Sequence, residues 1–161
     1  IVDINLMGVV HGCRAAIPHL QRNGTGMLIN VGSAAAFVSA PGMAAYSATK
    51  AAVLSLSETL VNDLRGSGIQ VSVVMPTFFH TRLLETFRGP EHGRAAAEQF
   101  MLASGYRTAD VAHDLLKMVA AGKTYVVVPA SARTLWRLKR WLPDYFLKHV
   151  LTVLQKMRGK K

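Results

Sequence analysis

Cysteine is nearly absent. Cys13 is the only one in 161 residues, which excludes a disulfide framework and a cysteine-rich zinc site and suits a reducing, cytoplasmic setting. Half of the residues are hydrophobic, yet no apolar run reaches the roughly 18 residues that a membrane span needs. Charged residues make up 17 %, so the chain is neither a disordered tail nor a fibrous repeat, and its length fits one domain. The histidines, His11, His19, His80, His92, His113 and His149, show no metal-ligand spacing, so no metal is expected. The first residue is Ile1, without a signal-peptide pattern, and no capping residue precedes the first helical stretch. The sequence reads as a chain entered partway through a domain.

Acidic residues are scarce at one end only. Residues 1–130 carry ten Lys and Arg against eight Asp and Glu, whereas residues 131–161 carry nine against Asp144 alone. The net charge of +10 is thus a property of the tail, and it does not argue for nucleic-acid binding by the body. No base-reading module accompanies the tail charges, so nucleic acid is not an expected partner.

Ile1 to about Leu20 has helical spacing, and Asn23-Gly24-Thr25-Gly26 reads as a turn. Met27–Val31 is an apolar run of strand length, followed by a small-residue loop from Gly32 to Gly42. Val53, Leu56, Leu60 and Leu64 recur at helical spacing within 43–64, and Gly66-Ser67-Gly68 stops that helix. Ile69–Met75 is a second strand, ended by Pro76, and 77–106 reads as irregular or weakly helical. A helix over 110–121 with Thr108 as N-cap and a strand Tyr125–Val128 complete the body. Strands alternating with helices predict an α/β fold, with right-handed crossovers and a parallel sheet covered on both faces. Three strands leave an apolar edge without a partner, so the choice is between a small sheet and a larger one whose first half is missing.

Tyr46 and Lys50 stand four apart in the long helix, which puts both side chains on one face, one turn apart. A phenol titrating near 10 is a poor proton carrier at neutral pH, and an adjacent ammonium that stabilises the phenolate makes it usable as a general acid/base. Ser33 lies thirteen residues before Tyr46, just past the first strand, at the sheet end where open α/β folds bind ligands. Asn5 precedes it in the first helix, Pro76 ends the next strand, and Thr81 follows five residues later.

This ordered set, running from about Ile1 to Val128, resembles the short-chain dehydrogenase/reductase family. The resemblance implies a Rossmann-like, doubly wound parallel sheet. It implies that Tyr46 is the acid/base, that Lys50 holds the nicotinamide ribose, and that Ser33 hydrogen-bonds the reacting oxygen. By the same resemblance Asn5 bends its helix and fixes a relay water, while Thr81 and the backbone of Phe79 meet the cofactor beyond Pro76 and Thr77. NAD or NADP would supply the hydride chemistry, with an alcohol or carbonyl as substrate. The family usually has glycine where Thr77 stands. No Gly-x-x-x-Gly-x-Gly turn joins a strand to a helix here, and no residue that selects NAD over NADP is identifiable. The chain is therefore similar to the C-terminal part of such an enzyme, incomplete because the N-terminal βαβ units are absent. On its own it is expected to be inactive.

Helices 1–20 and 43–64 are, by resemblance, the pair that builds a homo-oligomer interface, with Gly8, Gly12, Ala45, Ala48 and Ala52 permitting close approach. Segment 77–106 is apolar for a loop (Phe78, Phe79, Leu83, Leu84, Phe87, Phe100, Met101, Leu102), which suits a lipophilic substrate or simple packing onto the domain. Cys13 reads as a packing residue, Arg94 and Arg107 as surface charge, and Glu58 and Asp63 as exposed helix charges. Residues 131–161 form a second unit. There Trp136 and Trp141 alternate with Arg137, Lys139 and Arg140, and Phe146, Leu147, Val150, Leu151, Leu154 and Met157 make one helical stripe. That pattern fits an in-plane membrane helix or packing on the domain or a second subunit. Two other functions compete with the dehydrogenase reading: a membrane- or partner-binding module on a degenerate scaffold, and an epimerase or dehydratase of the wider family.

Overall fold

The computed structural model describes residues 1–86, 91–150 and 152. A π-helical turn, Asp3–Met7, leads into α1 (Gly8–Asn23), which ends where Gly24 adopts φ 67° and donates to the Gln21 carbonyl at 3.1 Å. Then come β1 (Gly26–Val31), the short α2 (Ala35–Val38), α3 (Ala44–Asp63) and β2 (Ile69–Pro76). A 3-10 turn, Arg82–Thr86, α4 (Glu91–Ser104) and α5 (Thr108–Ala120) lead to β3 (Tyr125–Val128). α6 (Ala132–Trp141), α7 (Pro143–Tyr145) and a second π turn, Phe146–Val150, close the described chain.

The three strands are parallel, in the order β1-β2-β3, with Leu28 opposite Val71 and Val74 opposite Val126. Central β2 is buried on both faces, which is why it reads as a continuous apolar run rather than an alternation. Its polar members are satisfied: the Gln70 amide donates to the Val119 carbonyl at 2.7 Å and the Ser72 hydroxyl to the Lys123 carbonyl at 2.9 Å. On one face Leu28, Ile69 and Val71 pack against Val9, Cys13 and Ile17 of α1 and Leu56 and Leu60 of α3. Val73, Met75 and Val127 continue that face under Phe37, Ala132 and Trp136. On the other face Val74, Val126 and Val128 meet Val111 and Val119 of α5. Helices on both faces make the sheet doubly wound, as expected. Among the described residues β1 is paired on one side only, and Met27 and Val31 lie 55 % and 56 % exposed, so the sheet is incomplete.

Three details depart from the sequence reading. α3 and α5 cover opposite faces although the strands step in one direction, so the two crossovers differ in hand. The second connection spans 77–124 and is long enough to pass round the sheet rather than pack straight back. Segment 91–104 is a regular helix that its alanine-rich sequence signals only weakly. It is held by Phe100 stacked on Phe78 at 5.1 Å and by buried Met101. The N-cap of α5 is Arg107, whose backbone N–H donates to Asp110 at 3.0 Å, while the Thr108 hydroxyl donates to the His80 carbonyl at 2.8 Å.

One side of the basic tail, up to Phe146, packs into the core. Ala132, Leu135 and Trp136 pack beneath the sheet, Trp136 meets Phe37 edge-on at 5.0 Å, and Phe146 is fully buried. Leu147, next in the expected stripe, is exposed, and its later members lie outside the described side chains. Replacing Trp136 with Ala is expected to lower unfolding free energy by about 3 kcal/mol, the low end of the range for buried aromatics because the ring is half-exposed. Denaturant titration reads this directly. A loss below about 0.5 kcal/mol would show that α6 does not anchor the sheet.

Candidate active site

Ser33 follows β1 immediately and is gripped on both sides by the end of β2. The N–H of Gly32 donates to the Val74 carbonyl at 2.8 Å and that of Ala34 to the Pro76 carbonyl at 2.9 Å. Its hydroxyl accepts the Ala35 N–H at 3.1 Å and so starts α2, and its own proton remains available to a ligand. Small residues are required at this crossing. A Cβ on Gly32 would lie 3.2 Å from the Val74 carbonyl oxygen.

Tyr46 is half-buried in the first turn of α3, and its carbonyl accepts the Thr49 hydroxyl at 2.8 Å. One turn on, the Lys50 ammonium stands 5.8 Å from the centre of the Tyr46 ring. It donates to the Val31 carbonyl at 3.1 Å, at the end of β1 and two residues before Ser33. No carboxylate pairs with Lys50 among the described residues, and burial pushes its pKa below the ordinary lysine range. Asn5 sits in the π turn before α1, and its amide reaches the Thr49 hydroxyl at 3.5 Å. That single-turn widening of a helix is a feature common at functional sites. Asn5, Tyr46 and Lys50 thus share α3 as their support, and Lys50 ties that helix to the strand end that carries Ser33.

The residues beyond β2 are less alike. Pro76 is the last residue of β2, and the Thr77 N–H donates to the Val128 carbonyl at 2.9 Å, joining this loop to the end of β3. Phe79 packs beside Val74 and Val111. The Thr81 hydroxyl accepts the Leu83 N–H at 2.8 Å and caps the 3-10 turn. In the apolar segment both readings hold in part: Phe79 and Met101 pack inward, whereas Leu83 and Leu102 are 63 % and 62 % exposed. Phe87 lies outside the described residues. A surface cavity of about 390 Å³ sits at the opposite end of the strands, beside Gly68, Ile69 and Thr124, and touches none of these residues.

Sequence reasoning missed two polar networks. Asn30, within β1, donates to the Ser57 hydroxyl at 3.0 Å and accepts from Cys13 Sγ at 3.4 Å, all three being buried between β1, α1 and α3. Asparagine inside an apolar strand was the available signal. Glu58 is not a solvated charge. It accepts the Tyr125 hydroxyl at 2.7 Å and pairs with Arg140 at 3.6 Å, and burial together with that hydrogen bond raises the Tyr125 pKa. The helical repeat shows only that Glu58 is off the main apolar stripe, not that two later segments fold back to it.

A doubly wound parallel sheet with serine, tyrosine and lysine gathered about its strand ends defines the class. Residues 1–91 match the short chain dehydrogenase family, and the chain belongs to that family. It is 36 % identical over 85 residues to 2-(R)-hydroxypropyl-CoM dehydrogenase of Xanthobacter autotrophicus, covering 53 % of this chain and 34 % of that protein. It is 39 % identical over 108 residues to 3beta-hydroxysteroid dehydrogenase 1 of Eggerthella lenta, covering 66 % and 41 %. Among solved structures, a short-chain dehydrogenase/reductase from Burkholderia phymatum in complex with NAD superposes with TM-score 0.72 at 27 % identity, covering 89 % of this chain and 57 % of the other. A short chain dehydrogenase from Burkholderia cenocepacia in complex with NADP gives 0.70 at 26 %, covering 92 % and 56 %. The chain thus spans about a third to a little over half of the proteins it matches. Among the described residues, no helix is long and apolar enough to cross a membrane.

The depressed Lys50 pKa fixes the sign of a pH effect. Just below the ordinary lysine pKa the unfolded chain holds this proton and the folded chain releases it, so the group's contribution to stability rises with pH there. The stability of the parent relative to Lys50→Met is therefore expected to increase between pH 7 and pH 10. Paired denaturant titrations showing a constant or falling difference would contradict the burial of the ammonium.

Proposed function

We propose that this chain carries the substrate-side half of an NAD(P)-dependent oxidoreductase acting on an alcohol/carbonyl pair. In this reading Tyr46 is the general acid/base, and Ser33 donates to the reacting oxygen. Lys50 holds the nicotinamide ribose and stabilises the phenolate, and Asn5 orders the relay behind them. The observation that carries it is Lys50 bridging α3 to the end of β1, which fixes Tyr46 and Ser33 on one support.

The donor set fits the nicotinamide end of such a cofactor. Lys50 has three N–H donors and spends one on the Val31 carbonyl, leaving two for ribose hydroxyls. The cofactor, when bound, gives or takes the hydride. Pro76, Thr77, the Phe79 backbone and Thr81 are the groups beyond β2 that would border it. Among the described residues the pyrophosphate end has no counterpart. Gly24 and Gly68 pack against each other as turns before strands, not as a strand-to-helix cradle. Within these residues Lys50 keeps positive charge next to the phenol, Tyr46 moves a proton to or from the substrate oxygen, and Ser33 supports charge developing there.

The exposed Leu83 and Leu102, with Phe78 stacked on Phe100, support a lipophilic substrate. Uncovered small residues on α1 and α3 support pairing with a second copy. A Cβ at Gly12 would meet nothing within 4 Å beyond its own helix backbone and chain neighbours, and Ala45 and Ala48 are exposed.

In a form of the protein that turns over a secondary alcohol with NAD or NADP, Tyr46→Phe is expected to lower kcat by about 10²–10⁴-fold with cofactor affinity unchanged. Retained turnover would remove Tyr46 from the chemistry. The 161 residues alone are expected to bind NADH or NADPH weakly because no cradle holds the pyrophosphate. A micromolar Kd from fluorescence titration would contradict this.

A further inference from the structure

We propose that the end of α6 docks on an anionic lipid surface, with a lipid phosphate seated between Arg137 and Arg140 and the indole of Trp141 in the headgroup layer. The helix has two sides with different fates. Ala132, Leu135 and Trp136 face the sheet, while Thr134, Arg137 and Trp141, at i, i+3 and i+7, are exposed. Trp141 is 82 % exposed and the most uncovered large apolar side chain described. Leu142, Tyr145 and Leu147 follow within six residues and are exposed as well. Four large apolar side chains left in water over so short a stretch need a partner.

Charge decides which partner. Nine basic residues and one acid occupy 131–161, and among the described residues Arg137, Lys139 and Lys148 make no ion pair. A surface cleft of about 320 Å³ is lined by Trp136, Arg137, Arg140 and Trp141: two guanidinium groups between two indoles. Planar guanidinium forks match phosphate oxygens, and an amphipathic ring such as indole prefers the membrane–water boundary. A basic helix that shows apolar side chains fits an anionic bilayer better than a purely apolar partner or a polyanion alone.

The surface is rigidly aimed. Arg140 lies over Trp136 at 5.1 Å and Tyr125 at 5.7 Å and pairs with Glu58, contacts that tie this side of the helix to the body. Arg140 is half-occupied by these contacts, which leaves Arg137 as the freer phosphate ligand. Because Trp136 and Phe146 belong to the core, deleting 131–161 would unfold the body, and point changes at exposed positions are the appropriate probes.

The test is co-sedimentation of the full chain with phosphatidylcholine vesicles and with phosphatidylcholine vesicles containing phosphatidylglycerol. Pelleting is expected only with the anionic vesicles and is expected to fall as salt rises. Arg137→Glu removes two charge units and should weaken binding about 25-fold, at roughly fivefold per charge. Trp141→Ala should weaken it about tenfold through lost apolar burial. Unchanged circular dichroism would show that both variants fold. Failure to pellet with anionic vesicles, equal pelleting with neutral ones, or variants that bind like the parent would each overturn the proposal. So would an oligonucleotide that displaces the chain at matched phosphate concentration with the same dependence on Arg137 and Trp141. None of these outcomes bears on Tyr46 or Lys50, so this inference stands or falls separately from the proposed chemistry.

Discussion

Everything in this molecule is arranged around a strand that cannot touch water. Val71, Ser72, Val73, Val74 and Met75 are buried without exception, so β2 demands cover on both faces and pairing on both edges. α1, α3 and α6 meet one demand, α5 the second, and β1 and β3 the third. The strands end together as a result. Their C-terminal ends, Val31, Pro76 and Val128, are cross-linked by the Ala34–Pro76 and Thr77–Val128 hydrogen bonds, so the loops that leave the three strands share one rim. Ser33 and the Lys50 ammonium stand beside it.

Lys50 ties α3 to that rim through the Val31 carbonyl. An ammonium at the edge of an apolar helix–sheet contact costs desolvation, visible in its lowered pKa, and a carbonyl at 3.1 Å offsets only part of the cost. A carboxylate would satisfy it better. A carboxylate would also neutralise the positive field at the phenol of Tyr46 and use up the donors that a ribose needs. A desolvated ammonium with no carboxylate beside it fits the proposed role of Lys50, since packing alone would favour a neutral side chain at this position.

How much of this was readable in one dimension follows from the range of each interaction. The α3 pair was legible because helical spacing alone puts residues 46 and 50 together. β2 was legible because burial on both faces writes an unbroken apolar run. The parallel direction of the strands and the covering of both faces followed from alternation. The hand of the second crossover did not, because it depends on how the long 77–124 connection packs. α4 was obscure because its large apolar residues, Phe100, Met101 and Leu102, are consecutive near its end instead of recurring at helical spacing, and its support comes from Phe78 across the loop. Glu58 was misread because its partners, Tyr125 and Arg140, lie 67 and 82 positions further along and no local pattern announces them. Residues that satisfy distant polar groups look like surface until the fold is known.

The tail shows why charge counting and packing have to be weighed together. Composition marks 131–161 as one basic unit, yet along α6 the residues divide by helical phase. Trp136 meets Phe37 edge-on and Tyr125 at a tilt and holds the sheet, while Trp141, five residues on, is left exposed. Two tryptophans in one short helix thereby serve opposite ends of the free-energy balance. One stabilises the fold by burial, and the other keeps apolar surface in water that only association can remove. Arg140 joins the two sides. Its guanidinium lies over Trp136 while pairing with Glu58, which in turn holds Tyr125, so the orientation of the exposed face is set by α3, the helix that carries Tyr46 and Lys50. Glu58 thus joins α6 to the Tyr125 end of β3 from a position on α3 two helical turns beyond Lys50.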